Sequence, residues 1–243
     1  MTTLLHGERL DDLGRCGRRL IQNTAEFCFG ADAVLLAHFP RWRKSDRVLD
    51  LGTGAGVIPL LIADEVSHVA ALELNPVLYD LARRNAELNG LTEKITVQRG
   101  DLRQITSLYP VGGFDRVIVN PPYYPTGKGK ISVHGGRAAA RHEMTATLTD
   151  VIKAARFVLR YGGKLAMVHI PSRLSEIVAE LATHQFSLQR LRPVQPTAEK
   201  PANLILLEAA VSTNKAALKI EPALVMRDAS GAYTAAVRQI YGE

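Results

Sequence analysis

With 243 residues, 47% of them hydrophobic and 22% charged, the chain has the length and composition of one large globular domain. No apolar run reaches the roughly 20 residues that span a bilayer, and the first residues lack the basic start and apolar core of a signal peptide, so a cytoplasmic protein is expected. The two cysteines exclude a disulfide framework, no metal site is expected, and the net charge of +6 suggests an anionic partner.

The apolar pattern divides the chain into a core and two extensions. In the N-terminal extension, residues 1–45, a strand-rich segment is followed by a helical pattern at residues 32–39. From residue 46 to residue 212, short β-rich runs alternate with helical periods, which is typical of βαβ units on a parallel sheet. In the C-terminal extension, residues 213–243, a strand at 218–226 and a helix at 233–241 are predicted.

The core is predicted to be an α/β fold with seven strands. The predicted strands are residues 47–51, 68–74, 94–99, 114–120, 164–170, 187–194 and 203–211. The predicted helices are residues 57–64, 76–89, 148–161 and 172–184, the third of them closed by Gly162-Gly163. Because the segment RPVQPTAEKPAN is too short for a crossover helix, the last two strands should pair antiparallel. The sequence therefore predicts a mostly parallel sheet with one antiparallel strand and helices on both faces.

The segment VLDLGTGAGVIPL, residues 48–60, predicts a strand, a glycine-rich turn and a helix. Gly52, Gly54 and Gly56 would let the backbone approach a ligand at the carboxyl end of the strand, where open sheets bind nucleotides. A dinucleotide site favours GxGxxG, but the spacing here is GxGxG, and Asp50 on the strand would repel a pyrophosphate. The turn therefore suits a ligand that is cationic or lacks phosphates.

Acidic residues also end the next two predicted strands. Glu73 could accept hydrogen bonds from both hydroxyls of a ribose, and Asp101 could accept one from an adenine amino group. S-adenosylmethionine, which has a sulfonium, an ammonium and no phosphate, meets these conditions. In the alternative interpretation, the glycines form an ordinary turn and the acids are solvated.

The fourth predicted strand ends in NPPY, residues 120–123. The ordered set DLGTGAG, ELNP, RGDL and NPPY resembles the class I S-adenosylmethionine-dependent methyltransferases, and NPPY resembles those that methylate a planar nitrogen. The resemblance covers residues 30–211 and implies a Rossmann-like methyltransferase fold with S-adenosylmethionine as cofactor. It places the following residues at the cofactor: Asp50, Gly52, Thr53, Gly54, Gly56, Glu73, Asp101, Leu102 and Asp32. For Asp32, a helix N-cap is an equally good interpretation.

The resemblance assigns catalysis to Asn120, Pro121, Pro122 and Tyr123. The exocyclic amine of adenine is a poor nucleophile because its lone pair is delocalised into the ring. The Asn120 side-chain oxygen and the Pro121 carbonyl would accept its two hydrogens, and Tyr123 would stack on the base. Alternatively, the motif is a rigid turn that ends the strand and buries Tyr123.

Segments outside these motifs resemble the tRNA(Val) adenine-N6 methyltransferases, which act on adenine-37. These segments are FCFGADAVLLAHF before the core, ARHE after NPPY, and LVMRDASGAYTAAVRQIYG near the end. The implied partner is the tRNA anticodon loop. Its phosphates would be bound by Lys128, Lys130, Arg137, Arg141 and Lys200. Residues 121–173 carry nine Lys and Arg against two acids, although each single charge is equally explained as solvated.

Other functions are compatible with the same residues. The chain could methylate adenine in ribosomal RNA or in another tRNA, or a glutamine in a protein. From another class, it could be a catalytically silent RNA-binding protein. A NAD-dependent oxidoreductase is disfavoured by the GxGxG spacing and by Asp50. The sequence carries no indication of the oligomeric state.

Overall fold

A computed structural model describes residues 4–14, 17–26, 28–123, 146–212 and 217–242. The strands are β1 (Glu8–Asp12), β2 (Arg19–Asn23), β3 (Arg47–Leu51), β4 (His68–Glu73), β5 (Ile95–Arg99), β6 (Phe114–Val119), β7 (Leu159–His169), β8 (Phe186–Gln195), β9 (Leu204–Val211), β10 (Lys219–Ile220) and β11 (Leu224–Val225). The helices are α1 (Ala31–His38), α2 (Val57–Ile62), α3 (Pro76–Leu88), α4 (Ile105–Leu108), α5 (Leu148–Val158), α6 (Leu174–Thr183) and α7 (Ala235–Tyr241).

The main sheet has the strand order β10-β8-β9-β7-β6-β3-β4-β5, and β11 also pairs with β8. Neighbouring strands from β7 to β5 are parallel, whereas β9 runs antiparallel to both β7 and β8. This confirms the predicted mostly parallel sheet with one antiparallel strand. The seven predicted core strands are found as β3 to β9, and the strand predicted at residues 218–226 is divided into β10 and β11, which extend the edge beside β8. They are separate strands because Pro222, between them, has no N–H to donate to a ladder.

Helices cover both faces of the sheet, as predicted. Along β3, Val48 packs into the hydrophobic cluster that contains α1 and α2, whereas Leu49 and Leu51 pack into the cluster that contains α5 and α6. This alternation follows from the two-residue period of a strand. The chain direction of the crossovers reverses at β3, which lies between β4 and β6. Ligands bind at the carboxyl ends of strands at such a point, so the fold brings the ends of β3, β4 and β6 to one site.

The end of α5 differs from the sequence prediction. The helix stops at Val158, and Leu159 already has extended φ and ψ of −79° and 133°. Gly162 and Gly163 therefore lie inside β7 and do not close the helix. A Cβ at Gly163 would lie 2.9 Å from the Arg160 carbonyl oxygen, where β7 and β6 have an irregular register. The glycine pair is thus explained by close backbone approach at a bulge.

The N-terminal strands β1 and β2 form a separate antiparallel hairpin that packs against α3. Arg84 of α3 donates two hydrogen bonds to Glu8, with distances of 2.6 and 2.8 Å. The buried Asn85 side chain accepts from the Ile21 N–H at 2.7 Å and donates to the Ala55 carbonyl oxygen at 2.9 Å. Since Ala55 belongs to the glycine-rich turn, the hairpin and the turn are held by the same side chain.

On one face of the sheet, a buried charge cluster joins β6, β7 and β9. Glu208 is 1% exposed and accepts hydrogen bonds from Arg116 and Lys164, each at 2.9 Å. Arg116 also donates to Asp46 at 2.6 Å. Burial alone would raise the pKa of Glu208, but its hydrogen bond to Lys164 and the surrounding positive charges outweigh burial and lower the pKa.

Candidate active site

The glycine-rich turn between β3 and α2 has a left-handed backbone at three positions. Gly52, Gly54 and Gly56 have φ angles of 74°, 60° and 86°. L-residues with a side chain rarely adopt such angles, so glycine is required there. At Gly56 a Cβ would also lie 3.2 Å from the Cβ of Ala82. The absence of a side chain at Gly56 therefore allows α2 and α3 to pack closely. The three glycines thus leave room for a ligand to approach the backbone beside the end of β3.

Asp50 lies in β3 before this turn and is 1% exposed. Its Oδ2 atom accepts a hydrogen bond from the Thr53 hydroxyl at 2.6 Å, whereas no donor in the described ranges reaches the buried Oδ1 atom. Burial, together with the charge of Glu73, raises the pKa of Asp50 to about 7. A buried carboxylate oxygen without a partner is costly. It therefore marks a place where a cationic or hydrogen-bond-donating ligand would be stabilised.

Glu73 ends β4 and is also largely buried, at 7% exposed. It accepts hydrogen bonds from the backbone N–H groups of Gly54 and Asn75, at 2.8 and 2.9 Å. Burial raises its pKa despite these bonds. A carboxylate has about four lone-pair directions, so Glu73 keeps the capacity to accept from two further hydroxyls. This arrangement is suited to holding a ribose against the glycine-rich turn.

Asp101 follows β5, but its carboxylate already has a partner. The Arg103 Nε atom lies 3.0 and 2.9 Å from its two oxygens, and this pairing lowers the pKa of Asp101. An adenine amino group would therefore share Asp101 with Arg103. The sequence analysis did not identify Arg103, although a basic residue two positions after the acid was a visible signal.

A small cleft, called the acidic cleft below, lies between these carboxyl ends. The residues that line it are Gly52, Leu72, Glu73, Leu74, Gly100, Asp101, Leu102 and Ala146. Carboxylates and leucines together fit a cationic ligand with a flat apolar ring, because the acids complement charge and hydroxyls while the leucines contact the ring. The residues thus fit S-adenosylmethionine.

The segment after β6 holds Asn120 and Tyr123 at the carboxyl edge of the sheet, the same edge as the acidic cleft. The Tyr123 hydroxyl lies 2.6 Å from Asp32 Oδ2 and 3.2 Å from Asn120 Oδ1. Burial, followed by the charge of Asp32, raises the pKa of Tyr123, so the phenol keeps its proton. Pro121 is buried and Pro122 is exposed. The sequence suggested stacking for the Tyr123 ring, and it contained no signal for the hydroxyl contacts.

Asp32 lies in the first turn of α1, not at its N-cap. The N-cap is Gly30, and Asp32 Oδ1 accepts the N–H of Ala33 at 2.9 Å. The N-cap interpretation of Asp32 is therefore wrong, because Gly30 occupies that position. The second oxygen of Asp32 contacts Tyr123 instead. Sequence reasoning also missed His169, whose signal was its position at the end of a strand next to β6. The His169 ring is fully buried, with its centroid 5.3 Å from that of Tyr123.

The predicted RNA-contacting residues are only partly within the described structure. Lys128, Lys130, Arg137 and Arg141 lie outside the described residues. Lys200 is exposed in the loop from β8 to β9. Because β8 and β7 are both antiparallel to β9, this loop lies at the same edge of the sheet as Asn120.

The described residues contain neither a membrane-spanning helix nor a metal-binding cluster. In these parts of the chain, no helix has the length and apolar character needed to cross a membrane. Over the same residues, no group of three or more His, Cys, Asp or Glu side chains could hold a metal ion.

The chain is similar to known methyltransferases in both sequence and fold. The family model described as the methyltransferase small domain matches residues 27–184. A tRNA1(Val) (adenine(37)-N6)-methyltransferase of Porphyromonas gingivalis is 31% identical over 190 residues, 74% of this chain and 72% of the relative. One of Vibrio vulnificus is 30% identical over 208 residues, 84% and 83% of the two chains. The solved structure of a predicted O-methyltransferase from Agrobacterium tumefaciens superposes with a TM-score of 0.71 and 24% identity, covering 87% of this chain and 95% of that one.

Proposed function

The chain belongs to the family of the tRNA1(Val) (adenine(37)-N6)-methyltransferases, and we propose that it methylates N6 of adenine-37 in the anticodon loop of tRNA(Val). It is a methyltransferase of the methyltransferase small domain family, and its cofactor is S-adenosylmethionine. The observation that carries the proposal is the position of Asn120 and Tyr123 directly after β6, at the switch point that also holds Asp50 and Glu73.

The cofactor would be held by the acidic cleft and the glycine-rich turn. When bound, S-adenosylmethionine supplies an electrophilic methyl group on a positively charged sulfur. The buried Oδ1 of Asp50 would complement the positive charge of the amino-acid end, and Glu73 would accept hydrogen bonds from the ribose hydroxyls. The side chain of Leu102, which lines the cleft, would offer an apolar surface to the adenine ring.

The acceptor amine would be held by the segment after β6. The Asn120 side-chain oxygen and the Pro121 carbonyl accept its two hydrogens, which turns the nitrogen lone pair out of the ring plane. Catalysis then comes from positioning the amine, and the methylated nitrogen loses one proton to solvent. His169 does not serve as the base, since its Nδ1 atom already accepts the N–H of Ile170 at 2.8 Å. Burial also lowers the pKa of His169 to about 4.

The RNA would approach along the carboxyl edge of the sheet. Lys200 is exposed at this edge, and the basic residues of the segment after Tyr123 are proposed to complete a phosphate-binding surface there. Phosphate contacts orient the RNA, whereas the choice of base depends on the pocket around Asn120. A base in an anticodon loop is weakly stacked, so moving it into this pocket costs little. The cytoplasm, where tRNA is found, is the proposed location.

The proposal is tested by methyl transfer from labelled S-adenosylmethionine to unmodified tRNA, followed by nucleoside analysis and mapping. We expect N6-methyladenosine at position 37 of tRNA(Val). Labelling of ribosomal RNA, of another tRNA or of a protein glutamine would agree with methyltransferase activity but would refute tRNA(Val) as the substrate. Binding of cofactor and tRNA without any transfer would support the silent RNA-binding protein.

Cofactor affinity is expected to fall at acidic pH because of Asp50. The ionised carboxylate, present above a pKa of about 7, complements the cationic ligand, and protonation below that pH removes its charge. We expect calorimetry to give a dissociation constant about tenfold larger at pH 6 than at pH 8. The ligand's own amine titrates equally in the native protein and in the Asp50→Asn variant. The difference between their pH profiles of cofactor affinity therefore isolates the contribution of this residue. Parallel profiles would contradict the prediction.

A further inference from the structure

The Tyr123 hydroxyl lies between two oxygen atoms, and its single proton can form a strong hydrogen bond with only one of them. Asp32 Oδ2 is 2.6 Å away, and Asn120 Oδ1 is 3.2 Å away. A phenol donates one hydrogen bond and otherwise accepts. A carboxylate is a stronger acceptor than an amide oxygen, and here it is also nearer. The Tyr123 proton is therefore directed to Asp32.

With its proton on the side of Asp32, Tyr123 presents a lone pair to Asn120. Two oxygens that face each other at 3.2 Å without a proton between them repel. The amide of Asn120 has nearly the same shape after a half-turn about its Cβ–Cγ bond, so its orientation is decided by hydrogen bonding. That half-turn brings the amide nitrogen to the phenol oxygen as a donor and moves the amide oxygen to the opposite side.

We propose that Asp32 is a positioning residue which sets the hydrogen-bond direction Asn120 to Tyr123 to Asp32, and so holds the Asn120 oxygen toward the substrate amine. The inference rests on the proposed function, in which that oxygen is an acceptor for adenine N6. It assigns Asp32 a role different from the predicted contact with the cofactor. It also makes the Tyr123 hydroxyl, and not only its ring, necessary for turnover.

The surroundings hold this chain of hydrogen bonds in place. Asp32 projects from α1, whose buried residues pack against α2 and β7. The ring of Tyr123 rests against His169, with an interplanar angle of 52°. Arg173 lies 3.5 Å from the Tyr123 carbonyl oxygen. Because α1 and β7 are part of the packed core, the carboxylate is presented on a rigid element.

The first test is a double-mutant cycle with Asp32→Asn and Tyr123→Phe. An asparagine at position 32 keeps the shape, but its amide can also donate to Tyr123, which would turn the Tyr123 proton toward the Asn120 oxygen. We expect each single variant to lower kcat about 100-fold. The dissociation constant of S-adenosylmethionine and the KM for tRNA should stay within about twofold of the native values. The double variant should be no slower than Tyr123→Phe, since both changes break one network.

Matched controls are Asp80→Asn, at a partly exposed position of α3, and Tyr161→Phe, at an exposed position of β7. Both should leave kcat unchanged. Additive losses in the double variant would overturn the proposal. So would an Asp32→Asn variant whose cofactor affinity falls in parallel with its turnover, because Asp32 would then belong to the cofactor pocket.

A second measurement does not depend on activity. The side-chain amide protons of Asn120, assigned by their loss in Asn120→Ala, are followed by NMR hydrogen exchange. We expect exchange of one proton to be about tenfold slower in the native protein than in Tyr123→Phe. Equal exchange would refute the network even if adenine is methylated. Slow exchange in a protein that methylates no adenine would instead refute the proposed function and leave the network standing.

Discussion

Replacement of Asn120 by alanine is expected to lower kcat for adenine methylation by about 1,000-fold or more. The side-chain oxygen is one of two acceptors that make the amine nucleophilic, and alanine has no group to replace it. The affinity for S-adenosylmethionine should stay within about twofold, because Asn120 follows β6 and does not line the acidic cleft. Single-turnover rates on tRNA and calorimetry of cofactor binding together check both parts.

Asn120→Gln provides the matched control for this prediction. It keeps the amide but moves the oxygen by one methylene, so we expect a loss of about 100-fold, between the native protein and the alanine variant. Thermal unfolding should show all three proteins to be folded. Comparable turnover of Asn120→Ala and the native protein would refute the acceptor role and favour the interpretation of NPPY as a rigid turn.

Removal of the buried carboxylate of Glu208 is expected to lower the free energy of unfolding much more than removal of an exposed carboxylate. Glu208→Ala leaves Arg116, which is 7% exposed, without one of its charged partners in the core. Breaking a buried ion pair in this way costs about 3–5 kcal/mol in the free energy of unfolding. The partial exposure of Lys164 reduces its share of this effect. Denaturant-induced unfolding measures the difference directly.

A matched control for Glu208 is Glu87→Ala, which removes an exposed pair with Arg83 on α3. This pair should contribute less than about 1 kcal/mol. Because the folded-state pKa of Glu208 is lowered, its contribution is present above its unfolded pKa and is lost as the pH falls through the folded value. The stability difference between native protein and Glu208→Ala should therefore shrink in acid. Equal losses for the two variants would contradict a structural role of the buried cluster.

Most of the sheet could be predicted because its signals are local. The two-residue apolar period, the GxGxG turn and the acids at strand ends each lie within a few neighbouring residues. The strand predicted at residues 47–51 matches β3, and the other core strands are also found. The fold class, the family and the cofactor are confirmed. The roles of the single site residues stay predictions.

The errors arose where one local signal has two meanings. A glycine pair can end a helix or allow a backbone to pass closely, and only the packing of β7 against Asp115 made the second true for Gly163. An aspartate before an apolar helical run can be an N-cap or can face away from it. Asp32 is not the N-cap because Gly30 takes that position, and its second carboxylate oxygen contacts Tyr123.

The sequence by itself determined which chemical groups stand at the ends of β3, β4, β5 and β6, because strand and turn propensities act over short distances along the chain. Only the tertiary structure decided which of those groups meet. Tyr123 and Asp32 are 91 residues apart, and Arg116 and Glu208 are 92 apart. Such pairs depend on how α1 and β9 dock against the sheet, and docking is set by the whole core rather than by neighbouring residues.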